Sequence, residues 1–118
     1  MRVIYPRLAY EDPAAAVEWL IRVFGFAERT RKDNLVWLEL GDGQVMISGA
    51  EYGLKSPRQL GGVSHRVNVY VDDVDAHYRR ATAGGAKVCR DIEDMPWGER
   101  RYEAFDCEGH WWHFAQRL

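Results

Sequence analysis

Apolar residues in the first half of the chain follow two different spacings. Between Val17 and Phe24 they recur three or four positions apart, which predicts a helix that Asp12 caps and Gly25 ends. Shorter apolar runs, separated by turn residues such as Gly, Asp and Asn, are typical of strands. They predict strands at residues 3–10, 26–31, 35–40 and 44–48.

The second half repeats this order. A strand is predicted at residues 63–71, a helix from Val74 to about Ala83 behind Asp73, and strands at residues 87–91, 100–105 and 111–115. A β-α-β-β-β unit used twice predicts an α+β fold, with helices outside a curved, mixed or largely antiparallel sheet that forms a cleft. The 118 residues are expected to form one domain, with modules at about 1–50 and 63–118 and a connector at 51–62.

Strand parity separates side chains that pack from those that could meet a ligand, because alternate residues face opposite sides. In the strand after the connector, the apolar face is expected to cover the helix. It consists of Val67, Val69 and Val71, so the cleft receives Arg66, Asn68 and Tyr70.

The last strand follows the same rule. Trp112 and Phe114 are expected on the helix side, which leaves Trp111, His113 and Ala115 for the cleft.

The composition argues against several partners. A formal net charge of −2 without a basic cluster gives no field that attracts nucleic acid, and no apolar run approaches the roughly 20 residues of a membrane span. Residues 1–6 are interpreted as the start of a strand and not as a signal peptide. Cys89 and Cys107 lack metal-site spacing, so we expect reduced thiols and a cytoplasmic location.

Five tryptophans among 13% aromatic residues exceed the need of so small a core. Trp19 is expected in the core together with Trp112, whereas Trp97 lies between a proline and a glycine and should be in a loop. We expect at least two of Trp97, Tyr102 and Trp111 to line a ligand pocket, since aromatic rings give large contact areas to planar ligands. The alternative is that they cover the core or a dimer interface.

Several short motifs occur together in the second half. They are Val71-Asp72-Asp73-Val74-Asp75-Ala76, Gly84-Gly85-Ala86, Trp97-Gly98-Glu99-Arg100 and Asp106-Cys107-Glu108-Gly109-His110-Trp111-Trp112. In these motifs the chain resembles the glyoxalase/bleomycin-resistance/extradiol-dioxygenase (vicinal oxygen chelate) superfamily, and most closely its branch of uncharacterised bleomycin-resistance-like proteins. The resemblance covers essentially the whole chain and implies two βαβββ modules that form a cup, usually in a homodimer.

The resemblance also implies where metal-dependent members hold their metal. The four ligand positions, in the first and last strands of the modules, correspond here to Tyr5, Ile47, Arg66 and His113. Only His113 is a ready ligand, and an arginine repels a cation, so neither a metal nor another cofactor is expected. A register slip could pair His65 with His113, but it would expose several valines at a cost of roughly 1.5–3 kcal/mol each.

Two functions remain open. The first is a dimeric cup that sequesters a small molecule, such as an antibiotic, without chemistry; an aromatic ligand with an anionic or strongly hydrogen-bond-accepting group is expected. The ligand-binding residues predicted for it are Tyr5, Arg66, Asn68, Trp97, Arg100, Tyr102, Trp111 and His113. The alternative is a divergent lyase or dioxygenase-type enzyme, either metal-dependent or using Arg66 and His113 as electrophile and acid–base group.

Two other histidines and the cysteines receive structural interpretations. His77 is expected on a solvated helix surface, and His110, after a turn glycine, in a structural role. A nucleophilic Cys89 or Cys107 would need an adjacent base and an electropositive setting, and is not favoured.

Overall fold

The computed structural model describes residues 4–118, which form three helices and eight strands. In chain order they are β1 (Arg7–Ala9), α1 (Pro13–Phe24), β2 (Ala27–Lys32), β3 (Leu35–Leu40), β4 (Gly43–Ser48), α2 (Pro57–Leu60), β5 (Arg66–Tyr70), α3 (Val74–Ala83), β6 (Lys87–Met95), β7 (Glu99–Phe105) and β8 (Trp111–Arg117). Both long helices have their predicted limits. The predicted start of the first strand at residue 3 lies outside the described residues, and α2 within the connector was not predicted. None of these helices is long and apolar enough to cross a membrane.

The two long helices begin and end where their sequences specify. The side chain of Asp12 accepts a hydrogen bond from the N–H of Ala15 at 3.1 Å, and that of Asp73 from the N–H of Ala76 at 3.0 Å. Each bond satisfies a donor that the first helical turn leaves without a partner. Gly25 ends α1 with φ of +80°, a left-handed conformation that glycine adopts without steric cost.

The strands form two mixed sheets of four strands each. Sheet 1 has the order β1-β4-β3-β2 and sheet 2 the order β5-β8-β7-β6. In each sheet the first pair is parallel and the others are antiparallel. The α+β class and the repeated βαβββ order are therefore confirmed, with the strands divided between two sheets within one chain.

The hydrophobic core confirms the facing predicted for β5 and β8. Val67, Val69 and Val71 pack against the core, and Trp112 and Phe114 are fully buried in it. The register slip that would have reversed this arrangement does not occur.

The same core joins the two halves of the chain, because α1 packs against sheet 2. The ring of Phe24 lies edge-on to Trp112 and Phe114, with centroids 5.7 and 4.7 Å apart. Leu38 and Ile47 of sheet 1 belong to the same cluster. Both sheets thus turn their helix-covered faces to one core. The opposite face of each sheet, which we call its outer face, points away from that core.

The turn at residues 106–110 connects sheet 2 to the first half of the chain. The carboxylate of Glu108 accepts hydrogen bonds from the backbone N–H groups of Glu11 (2.7 Å) and Asp12 (2.9 Å). Nε2 of His110 donates to the carbonyl oxygen of Ala9 at 2.8 Å. This motif therefore has a structural role, as predicted for His110.

His77 is half-buried, so the prediction of a solvated surface residue was wrong. Its Nε2 donates to the carbonyl oxygen of Phe24 at 2.8 Å, and its Nδ1 therefore accepts from the hydroxyl of Tyr102 at 2.6 Å. Burial lowers the pKa of His77. The neutral imidazole thus links α3 to the end of α1 and to β7.

Candidate functional site

The outer face of sheet 2 carries polar and aromatic side chains from β5, β7 and β8. The pairing register places Asn68 and Glu103 on either side of His113. By strand alternation this face comprises Arg66, Asn68, Tyr70, Glu99, Arg101, Glu103, Trp111 and His113. Four predicted site residues, Arg66, Asn68, Trp111 and His113, are therefore brought to one surface.

His113 lies between two carboxylates that sequence reasoning did not single out. Its Nε2 is hydrogen-bonded to Oε1 of Glu99 at 3.2 Å. Its Nδ1 is 3.3 Å from Oε2 of Glu103, without hydrogen-bond geometry. All three residues are buried, although they belong to an outer face. Of the two carboxylates, only that of Glu99 is hydrogen-bonded to the imidazole.

Glu103 is surrounded by guanidinium groups. Nη1 of Arg66 lies 3.1 Å from its Oε1, and the Nε atoms of Arg90 and Arg101 lie 3.5 and 3.9 Å from its Oε2. Arg66 also stacks on Trp111, with its Cζ 5.6 Å from the ring centroid. The charge of Arg66 is therefore already engaged by groups of the protein itself.

Glu99 has a different environment. The indole N–H of Trp97 lies near its carboxylate, and the hydroxyl of Tyr70 donates to its Oε2 at 3.1 Å. The polar hydrogen of Trp97, with the hydrogen bonds from His113 and Tyr70, lowers the pKa of Glu99 against the opposing effect of desolvation. Glu99 is 7% exposed, whereas Tyr70 and Trp97 are 50% and 65% exposed. The carboxylate of Glu99 thus lies just beneath two exposed aromatic side chains.

Tyr102 lies on the opposite face of sheet 2, so its prediction as a ligand-binding residue was wrong. It pairs with Phe114 in the register of β7 and β8 and is fully buried in the core. Burial raises its pKa well above the ordinary value, and the hydroxyl donates to His77. Its role is to hold helix α3 against the sheet.

Arg100 shares the strand side of Tyr102, so it also lies off the outer face. Its Nε and Nη1 donate to Asp75 and Asp94 at 3.0 Å each. The neighbouring residues Arg101 and Glu103 take the outer face instead.

Tyr5 lies on another surface of the chain. It lines a cavity of about 370 Å³ at sheet 1, whose aromatic wall is Trp37. The lining residues of this cavity include no other predicted site residue. Trp37 was missed by sequence reasoning, although parity could have found it, since Val36 and Leu38 on either side are buried.

A larger groove of about 740 Å³ runs along β5. Asn68 and Tyr70 contribute to its wall, together with Pro6 and the turn between β3 and β4. Within the described residues, β5 is the last strand of sheet 2 and β1 the last strand of sheet 1. The groove therefore borders the edge of β5, which pairs with no other strand among the described residues.

The register corrects one of the positions assigned to metal ligands. Arg7 pairs with Met46 in sheet 1 as Asn68 pairs with His113 in sheet 2. Met46 is therefore the counterpart of His113. Ile47, the position that the resemblance implied, is buried in the core.

The corrected positions still do not fit a divalent metal. Tyr5, Met46 and Arg66 offer no imidazole or carboxylate beside His113, and such sites need about three such ligands. Within residues 4–118 no group of three His, Cys, Asp or Glu side chains is arranged to hold a metal ion. We therefore derive no chemistry through a metal.

The cysteines are exposed and unpaired. Desolvation raises the pKa of both thiols, that of Cys107 to about 12. Since the thiolate is the nucleophile, neither residue is set up for covalent catalysis.

Sequence comparison identifies the class of protein to which these two βαβββ modules, with His113 on an outer face, belong. The chain belongs to the Glyoxalase/Bleomycin resistance protein/Dioxygenase superfamily, whose profile matches residues 2–114.

Three similar proteins illustrate the relationship. TioX from Micromonospora sp. ML1 is 37% identical, with a TM-score of 0.83 over 99% of this chain and 97% of that chain. An uncharacterized protein of Mycobacterium bovis is 29% identical over 124 residues, which cover 94% of this chain and 80% of the relative. The crystal structure of a family enzyme from Burkholderia phytofirmans PsJN has 23% identity and a TM-score of 0.78, with 97% of each chain covered, and shows the shared fold.

Proposed function

We propose that this protein binds an aromatic or amphipathic small molecule on the outer face of sheet 2 and sequesters it without a metal and without chemical change. The observation that carries the proposal is Trp111. Its indole N–H is buried and has no partner among the described residues. Buried donors are nearly always satisfied, so an acceptor on a ligand that reaches the edge of this ring would complete the site.

The paired charges beside Trp111 support binding more than catalysis. Arg66 and Glu103 neutralise each other at 3.1 Å, which leaves a face that is polar but compensated. Such a face can offer hydrogen bonds to acceptors on the ligand without attracting anions in general. Asn68, beside His113 in the register, adds an amide that both donates and accepts.

A complete cup in this proposal needs a second copy of the chain. Tyr5 and Trp37 line a cavity at sheet 1, whereas Trp111 and His113 lie on sheet 2. A twofold homodimer that sets the outer face of sheet 1 opposite the partner's sheet 2 would join these half-sites. Pairing β1 of one copy with β5 of the other would also satisfy both free edges. Sedimentation at micromolar concentration should then give about twice 13.7 kDa.

The proposal treats residues 1–118 as one domain, with modules at about 1–50 and 63–118 and a connector at 51–62. A cytoplasmic location, expected from the two unpaired cysteines, stays a prediction.

A thermal-shift screen of metabolites and antibiotics tests the proposed function. A true ligand should raise the melting temperature by mass action and quench tryptophan fluorescence. Trp111→Ala should reduce both signals for the same compound. A ligand that binds the variant as tightly as the parent protein would show that the site lies elsewhere.

A second candidate function rests on the position of His113. An imidazole between Glu99 and Glu103 is arranged to take up and pass on a proton, as a metal-free acid–base enzyme requires. Turnover of methylglyoxal–glutathione hemithioacetal or of catechols, lost in His113→Ala, would favour this candidate.

A further inference from the structure

The two carboxylates beside His113 differ in how their charge is compensated. Glu103 has the guanidinium groups of three arginines within 4 Å. Glu99 accepts a hydrogen bond from Tyr70, is hydrogen-bonded to His113 and has the indole N–H of Trp97 nearby, yet no Lys or Arg within residues 4–118 forms a salt bridge with it. A covered carboxylate without a permanent cation beside it is incompletely compensated.

The two aromatic neighbours of Glu99 leave room for a ligand beside its carboxylate. Tyr70 donates its hydroxyl hydrogen to the carboxylate and Trp97 has its indole N–H nearby, while at least half of each residue stays exposed. An exposed aromatic ring beside a carboxylate attracts a cation in two ways. The cation interacts with the negative face of the ring and with the negative charge of the carboxylate.

The guanidinium group of Arg117 already lies on the ring of Tyr70, next to Glu99. Its Cζ lies 4.4 Å from the centroid of Tyr70, and it is the register partner of Glu99 in the pairing of β7 with β8. Arg117 belongs to an exposed strand end and forms no salt bridge within the described residues. The chain thus places one of its own guanidinium groups on the ring without pairing it to the carboxylate.

We infer that Glu99, Tyr70 and Trp97 form a subsite for a cationic group of the ligand, an ammonium or a guanidinium, and that Arg117 is its internal competitor. The inference rests on the proposed function, since it assigns the charge of one end of the molecule bound on this face. The apolar end would extend along the outer face toward Trp111, which pairs with Phe105 at the opposite end of β7 from Glu99. The ligand expected here is therefore amphipathic and positively charged at one end, in contrast to the anionic group expected from the sequence.

Three probes with the same aromatic ring and different charge test the inference. Phenethylammonium, 2-phenylethanol and 3-phenylpropanoate are titrated into the full chain at fixed ionic strength, with tryptophan fluorescence and calorimetry as readouts. Phenethylammonium should bind about tenfold more tightly than the alcohol, the size of one charge-assisted contact, and the carboxylate more weakly than either. Glu99→Gln should remove that advantage and leave the affinity for the alcohol unchanged. Glu18→Gln, an exposed site on α1, removes the same charge elsewhere and should change nothing.

Arg117→Ala gives an independent result of opposite sign. Because the variant frees the face of Tyr70, it should bind phenethylammonium about two- to fivefold more tightly, the range of an exposed cation–π contact. Arg79→Ala, on the exposed side of α3, controls for the loss of one positive charge. If Glu99→Gln does not fold, the comparison of Arg117→Ala with Arg79→Ala tests the cationic subsite by itself.

The outcomes separate the inference from the proposed function. Equal binding of the ammonium and the alcohol, with no effect of Arg117→Ala, would overturn the cationic subsite while an aromatic site remains. Failure of all three probes to bind would overturn the subsite, whereas the proposed function would be overturned by a thermal-shift screen without any hit that depends on Trp111. Tighter binding of the carboxylate than of the ammonium would restore the anionic ligand and reject the subsite.

Discussion

The hydroxyl of Tyr10 donates a hydrogen bond of 2.6 Å to the carboxylate of Asp106, 96 positions later in the chain. The same carboxylate oxygen accepts the indole N–H of Trp112 at 3.0 Å. Both Tyr10 and Asp106 are buried. Burial and the charge of Asp106 raise the pKa of Tyr10, so the hydroxyl keeps the proton that it donates. One buried carboxylate therefore joins the first strand, the last turn and the core.

Tyr10→Phe should destabilise the protein by ~1–3 kcal/mol, because a buried carboxylate loses one of its donors while the ring still fills its place. Urea denaturation measures the change in the free energy of unfolding. Tyr78→Phe is the matched control, since its hydroxyl donates to Asp91 at the surface and its loss should have little effect. Equal effects of the two substitutions would contradict the role assigned to Asp106.

His77 should make the stability depend on pH. Its pKa is lowered in the folded state, mainly by burial and further by the nearby charge of Arg80. The unfolded chain, in which the pKa of histidine is about 6.5, therefore binds the proton more readily. The stabilisation should be complete above about pH 6.5 and decline as the pH falls below it, by at most ~1.4 kcal/mol per pH unit.

Comparison with His77→Gln isolates this contribution from that of the other titrating groups. The difference in the free energy of unfolding between the two proteins should narrow from pH 7.5 to pH 5. A constant difference over that range would show that His77 keeps the same proton affinity in both states.

The sequence specifies the elements of this fold well, because each carries a local signal. Asp12 and Gly25 mark α1 through the backbone groups that they satisfy or the conformation that they permit, and Val67 and Val69 mark a strand with one buried side. These effects act between neighbours in the chain. They therefore determine the helices and the facing of β5 without knowledge of the tertiary structure.

The site was predicted only in part, because its decisive contacts connect distant strands. In β7 the first three residues, Glu99, Arg100 and Arg101, are all charged, so no alternation there shows which side turns outward. Arg100 and Tyr102 were consequently assigned to the wrong face. Glu99 and Glu103 gave no signal either, since the burial of a carboxylate depends on arginines, tyrosines and a histidine that only the register of sheet 2 brings near.

The protein should purify without a stoichiometric divalent metal. Glu99 and Glu103 contact the ring nitrogens of His113, but no group of three His, Cys, Asp or Glu side chains within residues 4–118 is arranged to hold a metal ion, and Arg66 stands at one of the ligand positions. Elemental analysis checks the metal content, and the melting temperature should be the same with EDTA and with added zinc, nickel or manganese. Stoichiometric metal that is lost in His113→Ala would overturn the prediction.

Trp111 and Trp112 are adjacent in β8, and their truncation should affect two different properties. Loss of Trp111 should lower ligand affinity, whereas loss of Trp112 should lower stability. Trp112 is fully buried in the core, so Trp112→Ala should destabilise the protein by ~3–5 kcal/mol. Trp111 lies on the outer face against Arg66 and Phe105, so Trp111→Ala should lower the affinity for the strongest hit of the ligand screen by about tenfold. Urea denaturation and calorimetric titration of both variants provide the two measurements.

The pair is informative because the two substitutions delete the same side chain one residue apart. If Trp111→Ala loses stability as severely as Trp112→Ala, the ring belongs to the structure of the sheet and the binding surface must lie elsewhere. If Trp111→Ala keeps both its stability and its ligand affinity, the outer face of sheet 2 is not the site. Loss of affinity with retained stability is the result expected of a ring that stacks on a ligand.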